Sequence, residues 1–65
     1  KYITPDNEKK YLNKKLEKEL EGARENAEEG NSYMMELFIK DALEIALKVD
    51  KNIDIEIEKI RNLLL

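Results

Sequence analysis

The stretch from Tyr33 to Val49 most constrains the fold of this chain, because its charged residues occupy only one side of a helix. Those residues form a polar ridge at mostly four-residue spacing: Glu36, Lys40, Asp41, Glu44 and Lys48. At about 100° per residue the ridge spans an arc of about 140°, and about 220° remains apolar. A surface helix needs about half that apolar width. We therefore expect this central helix to be covered on two sides.

The length and composition favour a small helical bundle. The chain has 65 residues, of which 42% are apolar and 42% charged, with no Cys and no His. A chain of this size buries about 60% of its unfolded surface and is only marginally stable without disulfides or metals. Two Gly and one Pro are the only helix breakers, and Leu, Lys, Glu and Ile dominate, which is typical of helical bundles. The start at Lys1 leaves open whether the chain is a fragment.

The first helix is predicted over residues 5–29. Thr4 is a good N-cap, and Pro5 occupies the first helical position, where Pro is favoured. The apolar positions form a narrow seam of the coiled-coil kind: Leu12, Leu16, Leu20, Ala23 and Ala27. Gly22 lies inside this helix and costs about 1 kcal/mol relative to Ala. We interpret it as a point of close approach by another backbone.

Gly30 and Asn31 end the first helix and predict an antiparallel hairpin. Gly is preferred just past a helix end, and Asn31 or Ser32 can cap a second helix over residues 32–49. If the numbers of facing residues sum to about 61, small side chains meet large ones along much of the interface, as close packing requires. The facing pairs are then Ala27–Met34, Ala23–Phe38, Leu20 with Asp41–Ala42, Leu16–Ile45 and Leu12–Val49.

The last segment fits two patterns. Every second residue from Ile53 to Ile57 is apolar, which is strand periodicity, and a strand at 53–58 is the alternative structure. Apolar residues also recur at helical spacing: Ile53, Ile57, Ile60 and Leu64. No second strand is visible to pair with a first one. We therefore predict a third helix over residues 54–64, capped by Asn52 or Asp54, that covers the second side of the central helix.

The predicted fold is all-α, a three-helix bundle that forms one domain over residues 1–65. A long antiparallel helical hairpin carries a short third helix. The surplus of apolar surface predicts a homo-oligomer or a helical protein partner, with these residues in the interface or just beneath it: Met34, Met35, Phe38, Ile39, Ile60 and Leu64. The alternative interpretation of this cluster is an ordinary core. The chain contains no run of about 18 apolar residues, which is the length needed to span a membrane. We therefore expect a cytoplasmic protein.

The charge distribution supports a second functional interpretation. Residues 1–18 hold six Lys against three acidic residues, whereas the remainder of the chain is acidic. The candidate anion-binding residues are Lys10, Lys14, Lys15 and Lys18. Several cations on one face can bind a phosphate backbone, but only two Arg are present for base recognition. A nucleic-acid-binding accessory protein is therefore the alternative function, and the simpler interpretation places these lysines beside Asp50, Asp54 and Glu56.

The residue types argue against catalysis. Without His or Cys the chain lacks the commonest general base and the strongest nucleophile. Ser32 and Thr4 occupy positions expected for helix caps. A carboxylate metal site in a bundle normally adds His from a Glu-x-x-His pair, and none exists here. We predict that the protein is not an enzyme and holds no cofactor or metal.

Two stretches, Ala23–Asn31 and Phe38–Ala46, resemble a single tetratricopeptide-type helical hairpin. That family places Gly with Asp or Asn at the turn and a Lys-Ala-Leu run in the second helix. With a third helix following, the chain also resembles the three-helix MIT domains, which interact with microtubules and trafficking proteins. Asp41 interrupts the Lys-Ala-Leu run, and Met35 stands where the repeat family prefers Ala. The resemblance implies a helical protein-interaction module and no chemistry.

Overall fold

A computed structural model describes the backbone of residues 5–64 and the side chains of residues 7–64. It consists of three helices, α1 (Pro5–Glu28), α2 (Ser32–Lys48) and α3 (Asp54–Asn62), with no strand in the described part of the chain. The all-α prediction of a long hairpin plus a short third helix is confirmed, and residues 54–58 are helical. The predicted cap Thr4 lies outside the described residues.

One contact between α1 and α2 agrees with the predicted register to within one residue. The ring of Phe38 lies against Gly22, within one residue of the expected pairing of Phe38 with Ala23. A β-carbon at position 22 would lie 2.8 Å from Phe38 Cε1. The close approach at Gly22 is thus made by an aromatic ring, and the expectation of a backbone there is wrong.

The first turn follows the predicted chemistry. Gly30 has a φ of +79°, the left-handed conformation that Gly adopts without a steric penalty. The Asn31 N–H donates to the Asn26 carbonyl at 2.8 Å, and the Gly30 N–H donates to the Ala27 carbonyl at 3.1 Å, which is a Schellman motif. The Asn31 side chain then caps α2 by accepting from the Met34 N–H at 3.1 Å.

The second turn repeats this motif without a glycine. Asp50 has a φ of +54° and is the one non-Gly residue with a positive φ in the described chain. The Lys51 N–H donates to the Ala46 carbonyl at 2.9 Å, as in the turn after α1. Asn52 Oδ1 accepts from the Asp54 N–H at 2.9 Å, so Asn52 supplies the predicted side-chain bond at the start of α3.

All three helices contribute to one core. Its buried side chains are Leu16, Ala23 and Ala27, then Met35, Ile39, Ala42, Ile45 and Ala46, and finally Ile53, Ile57 and Ile60. The helical spacing predicted for the last three isoleucines is therefore confirmed. We expected α3 to cover α2. Its backbone lies closer to α1 than to α2, and it meets α2 through the side chains of the shared core.

A bidentate ion pair connects the end of α3 to the first part of α2. Arg61 Nε donates to Glu36 Oε2 at 3.0 Å, and Arg61 Nη2 donates to Glu36 Oε1 at 2.9 Å. It is the one ion pair within residues 7–64, and both side chains are about half exposed. The hydrogen bond to Glu36 raises the pKa of Arg61. This contact shows that α3 runs antiparallel to α2.

Candidate interaction surface

The side of α2 that faces away from the core carries a regular stripe, which we call the outer stripe. Its five exposed residues are Tyr33, Leu37, Lys40, Glu44 and Leu47. Their spacings of 4, 3, 4 and 3 keep them within an arc of about 80° on a helix with 100° per residue. Alternation of 3 and 4 is the periodicity of a coiled-coil seam. The stripe therefore has the geometry with which one helix packs along another.

The large apolar side chains of the outer stripe stay exposed to solvent in the folded chain. Leu47 is 80% exposed, Tyr33 is 72% exposed and Leu37 is 41% exposed. Leu43, at the edge of the stripe, is 40% exposed. Single exposed apolar residues are ordinary, but several on one helix face indicate an interaction site.

The charged members lie in the middle of the stripe. Lys40 and Glu44 are exposed, and among residues 7–64 neither forms an ion pair or a hydrogen bond through its side chain. Tyr33 and Leu37 precede them on the stripe, and Leu47 follows. The order along α2 is therefore apolar, charged, apolar, with a positive and a negative group adjacent at the centre.

A shallow groove adjoins one end of the stripe. It lies between the last turn of α2 and the start of α3, and Leu43, Leu47 and Ile53 line it together with residues 50–52. Ile53 is buried at its base. Leu43 and Leu47 are exposed where they border this groove. It extends the apolar surface around Leu47.

The six residues predicted for the interface occupy different environments. Met35, Ile39 and Ile60 are buried in the core of the single chain, and Phe38 and Leu64 pack half-buried against it. Met34 alone among them is exposed, at 36%. Most of these residues therefore belong to the core of the single chain. That they lie in or just beneath an interface stays a prediction.

The outer stripe was missed in the sequence because its apolar members fall within the arc assigned to the polar ridge. Tyr33 and Leu37 lie between the directions of Glu36 and Asp41 around the helix axis, at about 100° per residue. The polar ridge was drawn from the charged residues alone, so these apolar residues did not show within it. A wheel with every residue of the helix would have placed Tyr33, Leu37 and Leu47 on the ridge.

The four candidate anion-binding lysines do not share one environment. Lys10, Lys14 and Lys18 are exposed on α1 within an arc of about 80°. Lys15 points about 100° away from Lys14 and lines a groove between α1 and α2. The other residues that line this groove are Glu19, Asp41, Glu44, Ile45 and Lys48.

The lysines of α1 form no ion pair with the acidic residues that we expected beside them. Within residues 7–64 the ion pair of Arg61 with Glu36 is the only one. The groove that contains Lys15 instead holds Glu19, whose Oε2 is buried without a hydrogen-bond partner. The opposite charges of the two helices are thus near each other without direct contact in this region.

No group of three or more acidic side chains within the described residues is placed to hold a metal ion. Separately, no helix among these residues combines the length and the apolar character needed to cross a membrane.

The outer stripe has to be interpreted from its own geometry. A scan against protein-family models, a search of curated proteins and a search of solved structures each gave no match. The resemblance to tetratricopeptide and MIT modules therefore stays a prediction that rests on the residues of the hairpin.

Proposed function

We propose that this chain is a non-catalytic helical protein–protein interaction module that acts in the cytoplasm and self-associates through the outer stripe of α2. The observation that carries the proposal is the exposure of Tyr33, Leu37 and Leu47 on one face after the core has closed. Burying such side chains against a partner helix removes apolar area from water, at about 25 cal/mol per Å². A partner helix in a groove is a common way for small helical modules to bind.

The packing beneath the stripe supports this assignment. Met35 and Ile39 are 1% exposed and anchor α2 in the core shared by the three helices, so the stripe is presented on a fixed helix. A preorganised surface loses little conformational freedom when it binds. The resemblance to tetratricopeptide and MIT modules agrees with a binding role, and the lack of His and Cys agrees with the absence of catalysis.

The proposal is tested by measuring the mass in solution by light scattering over a wide concentration range. We expect a dimer or larger species that dissociates on dilution. Leu47→Ser should shift the equilibrium towards the monomer. Ile55→Ser is the matched control, because Ile55 is an aliphatic residue of α3 that is 66% exposed but lies outside the stripe. A monomeric mass at every concentration would contradict self-association.

A nucleic-acid-binding accessory protein is the second candidate, favoured by one observation. Lys10, Lys14 and Lys18 are exposed on one face of α1, and none forms an ion pair in the described part of the chain. Binding through such a face should weaken steeply with added salt. Changing all three residues to Glu should abolish salt-sensitive retention on a nucleic acid column if this function is real. It should leave the mass in solution unchanged if the outer stripe is the functional surface.

A further inference from the structure

We infer that the outer stripe packs against the same stripe of a second copy, with the two α2 helices antiparallel and Lys40 of each copy facing the partner's Glu44. This inference rests on the proposed function and adds the identity and the geometry of the partner. It comes from the order of the residues along the stripe.

Four of the five stripe residues map onto themselves when the direction of the helix is reversed: Leu37, Lys40, Glu44 and Leu47. In an antiparallel pair of helices, the numbers of facing residues have a constant sum, and these four are symmetric about the level of residue 42. Tyr33 would face residue 51, which lies beyond the end of α2. Leu37 then faces the partner's Leu47, and Lys40 faces the partner's Glu44. Because a two-fold axis relates the copies, each of these contacts occurs twice.

Other arrangements of the same two helices are worse. A parallel pair would place Lys40 opposite the partner's Lys40 and Glu44 opposite the partner's Glu44. An antiparallel pair centred on Lys40 would also bring the two copies of Lys40 together. Like charges facing each other across an interface are unfavourable. The register centred on residue 42 joins leucine to leucine and opposite charges to each other.

The same symmetry favours a second copy over another protein. Binding to a different protein requires that the partner be complementary to the stripe, but not that the stripe be complementary to itself. Self-complementarity is needed only for binding to a second copy. Here Lys40 and Glu44 are exposed and unpaired within the described chain, and Leu37 and Leu47 flank them at equal distances. Self-complementarity of this kind is the requirement for a two-fold interface.

The size of the contact sets the expected strength. The overlap covers about 13 residues of each helix, or about 20 Å at 1.5 Å per residue. Such an interface lies at the small end of the range for specific complexes. We therefore expect a dimer in rapid equilibrium with its monomer, as the light-scattering experiment can detect.

Charge reversal is the decisive experiment. Lys40→Glu places two acidic groups at each central contact, and Glu44→Lys places two basic groups there. Each variant alone should dimerise about tenfold more weakly than the original chain, or worse. Mixing the two variants should restore association, because each Glu at position 40 then meets a Lys at position 44. The double variant Lys40→Glu with Glu44→Lys should also dimerise by itself.

Matched controls separate a specific contact from a change in total charge. Lys9→Glu and Glu25→Lys alter net charge by the same amounts at exposed positions of α1. Neither should change the dimer. Circular dichroism of every variant should show unchanged helix content, since all four positions are exposed.

Cysteine cross-linking tests the register directly, because the chain has no native Cys. Leu37→Cys mixed with Leu47→Cys should give disulfide-linked dimers. Each variant alone should cross-link poorly, because equivalent residues then lie ten positions apart, about 15 Å along the axis. A disulfide requires Cα atoms within about 7 Å.

The outcomes distinguish the two levels of the proposal. If neither Lys40→Glu nor Glu44→Lys weakens dimerisation, the antiparallel arrangement of the two stripes is wrong, and self-association by another surface remains. A mixture of the two variants that associates no better than either alone would overturn that arrangement equally. A monomer at every concentration would contradict the proposed self-association and this inference together.

Discussion

The ring of Phe38 covers Gly22 so closely that a β-carbon there would lie 2.8 Å from Phe38 Cε1. In an open helix Gly→Ala stabilises by about 1 kcal/mol. Here overpacking against the ring costs about 1–3 kcal/mol, so Gly22→Ala should lower the free energy of unfolding. Urea denaturation followed by circular dichroism measures the change.

The control for Gly22 removes the ring. In a Phe38→Leu background the same Gly22→Ala change should become neutral or stabilising, because the smaller side chain leaves room for the methyl group. If Gly22→Ala has the same effect in both backgrounds, the contact with Phe38 is not the reason for the glycine.

Asp50 occupies a left-handed backbone position that Gly30 occupies in the equivalent turn. An L-residue pays about 1–2 kcal/mol there, and Asp somewhat less because its short side chain tolerates the conformation. Asp50→Gly should therefore raise the melting temperature, with a gain of about 0.5–1 kcal/mol. The reciprocal change, Gly30→Ala, should destabilise, although open space surrounds that position. A melting temperature lowered by Asp50→Gly would show that its side chain contributes more than its backbone costs.

The ion pair of Arg61 with Glu36 should contribute little to stability. Both side chains are about half exposed, and exposed pairs are worth about 0.2–1 kcal/mol. Glu36→Gln should reduce the unfolding free energy by no more than this. The difference should become smaller at about 1 M salt, where the Debye length is about 3 Å. The hydrogen bond raises the pKa of Arg61, so the contribution of its charge is lost as pH rises through the raised pKa and should stay constant across the neutral range. A loss that high salt leaves unchanged would argue against the ion pair.

Two adjacent methionines should respond differently to truncation. Met35 is 1% exposed, whereas Met34 is 36% exposed. Met35→Ala should cost about 2–4 kcal/mol, since it removes buried side-chain volume from the core. Met34→Ala should change stability by about 0.5 kcal/mol or less. Equal losses in chemical denaturation would mean that Met34 is buried too, for example in a dimer.

The hairpin could be predicted because its signals are local. Gly30 needs a left-handed backbone, and alternating small and large residues set the register between α1 and α2. The position of Asp50 could not be predicted in this way. Its left-handed conformation accompanies the hydrogen bond of the Lys51 N–H to the Ala46 carbonyl, and Asp, although it tolerates that conformation better than most L-residues, marks such a turn far less clearly than Gly.

The candidate surface was harder to predict because helical periodicity fixes directions around an axis without fixing which direction a neighbour covers. The apolar arc of α2 was wide enough for several arrangements. In the folded chain Leu43 and Leu47 stay exposed, while Ile60 enters the core. Tyr33 and Leu37 lie within the arc that the charged residues span, so a helical wheel of the whole segment would have shown them beside the polar ridge.

The nine residues of α3 form the shortest helix of the bundle, and a helix of that length is not stable in water by itself. Its backbone amides can therefore stay protected from solvent exchange only while Ile57 and Ile60 remain docked on the hairpin. Detachment of α3 would be a subglobal opening that occurs at a lower free energy than complete unfolding. Each such event would expose the apolar surface of α1 and α2 that α3 covers, so the bundle consists of a stable hairpin and a third helix that can detach on its own.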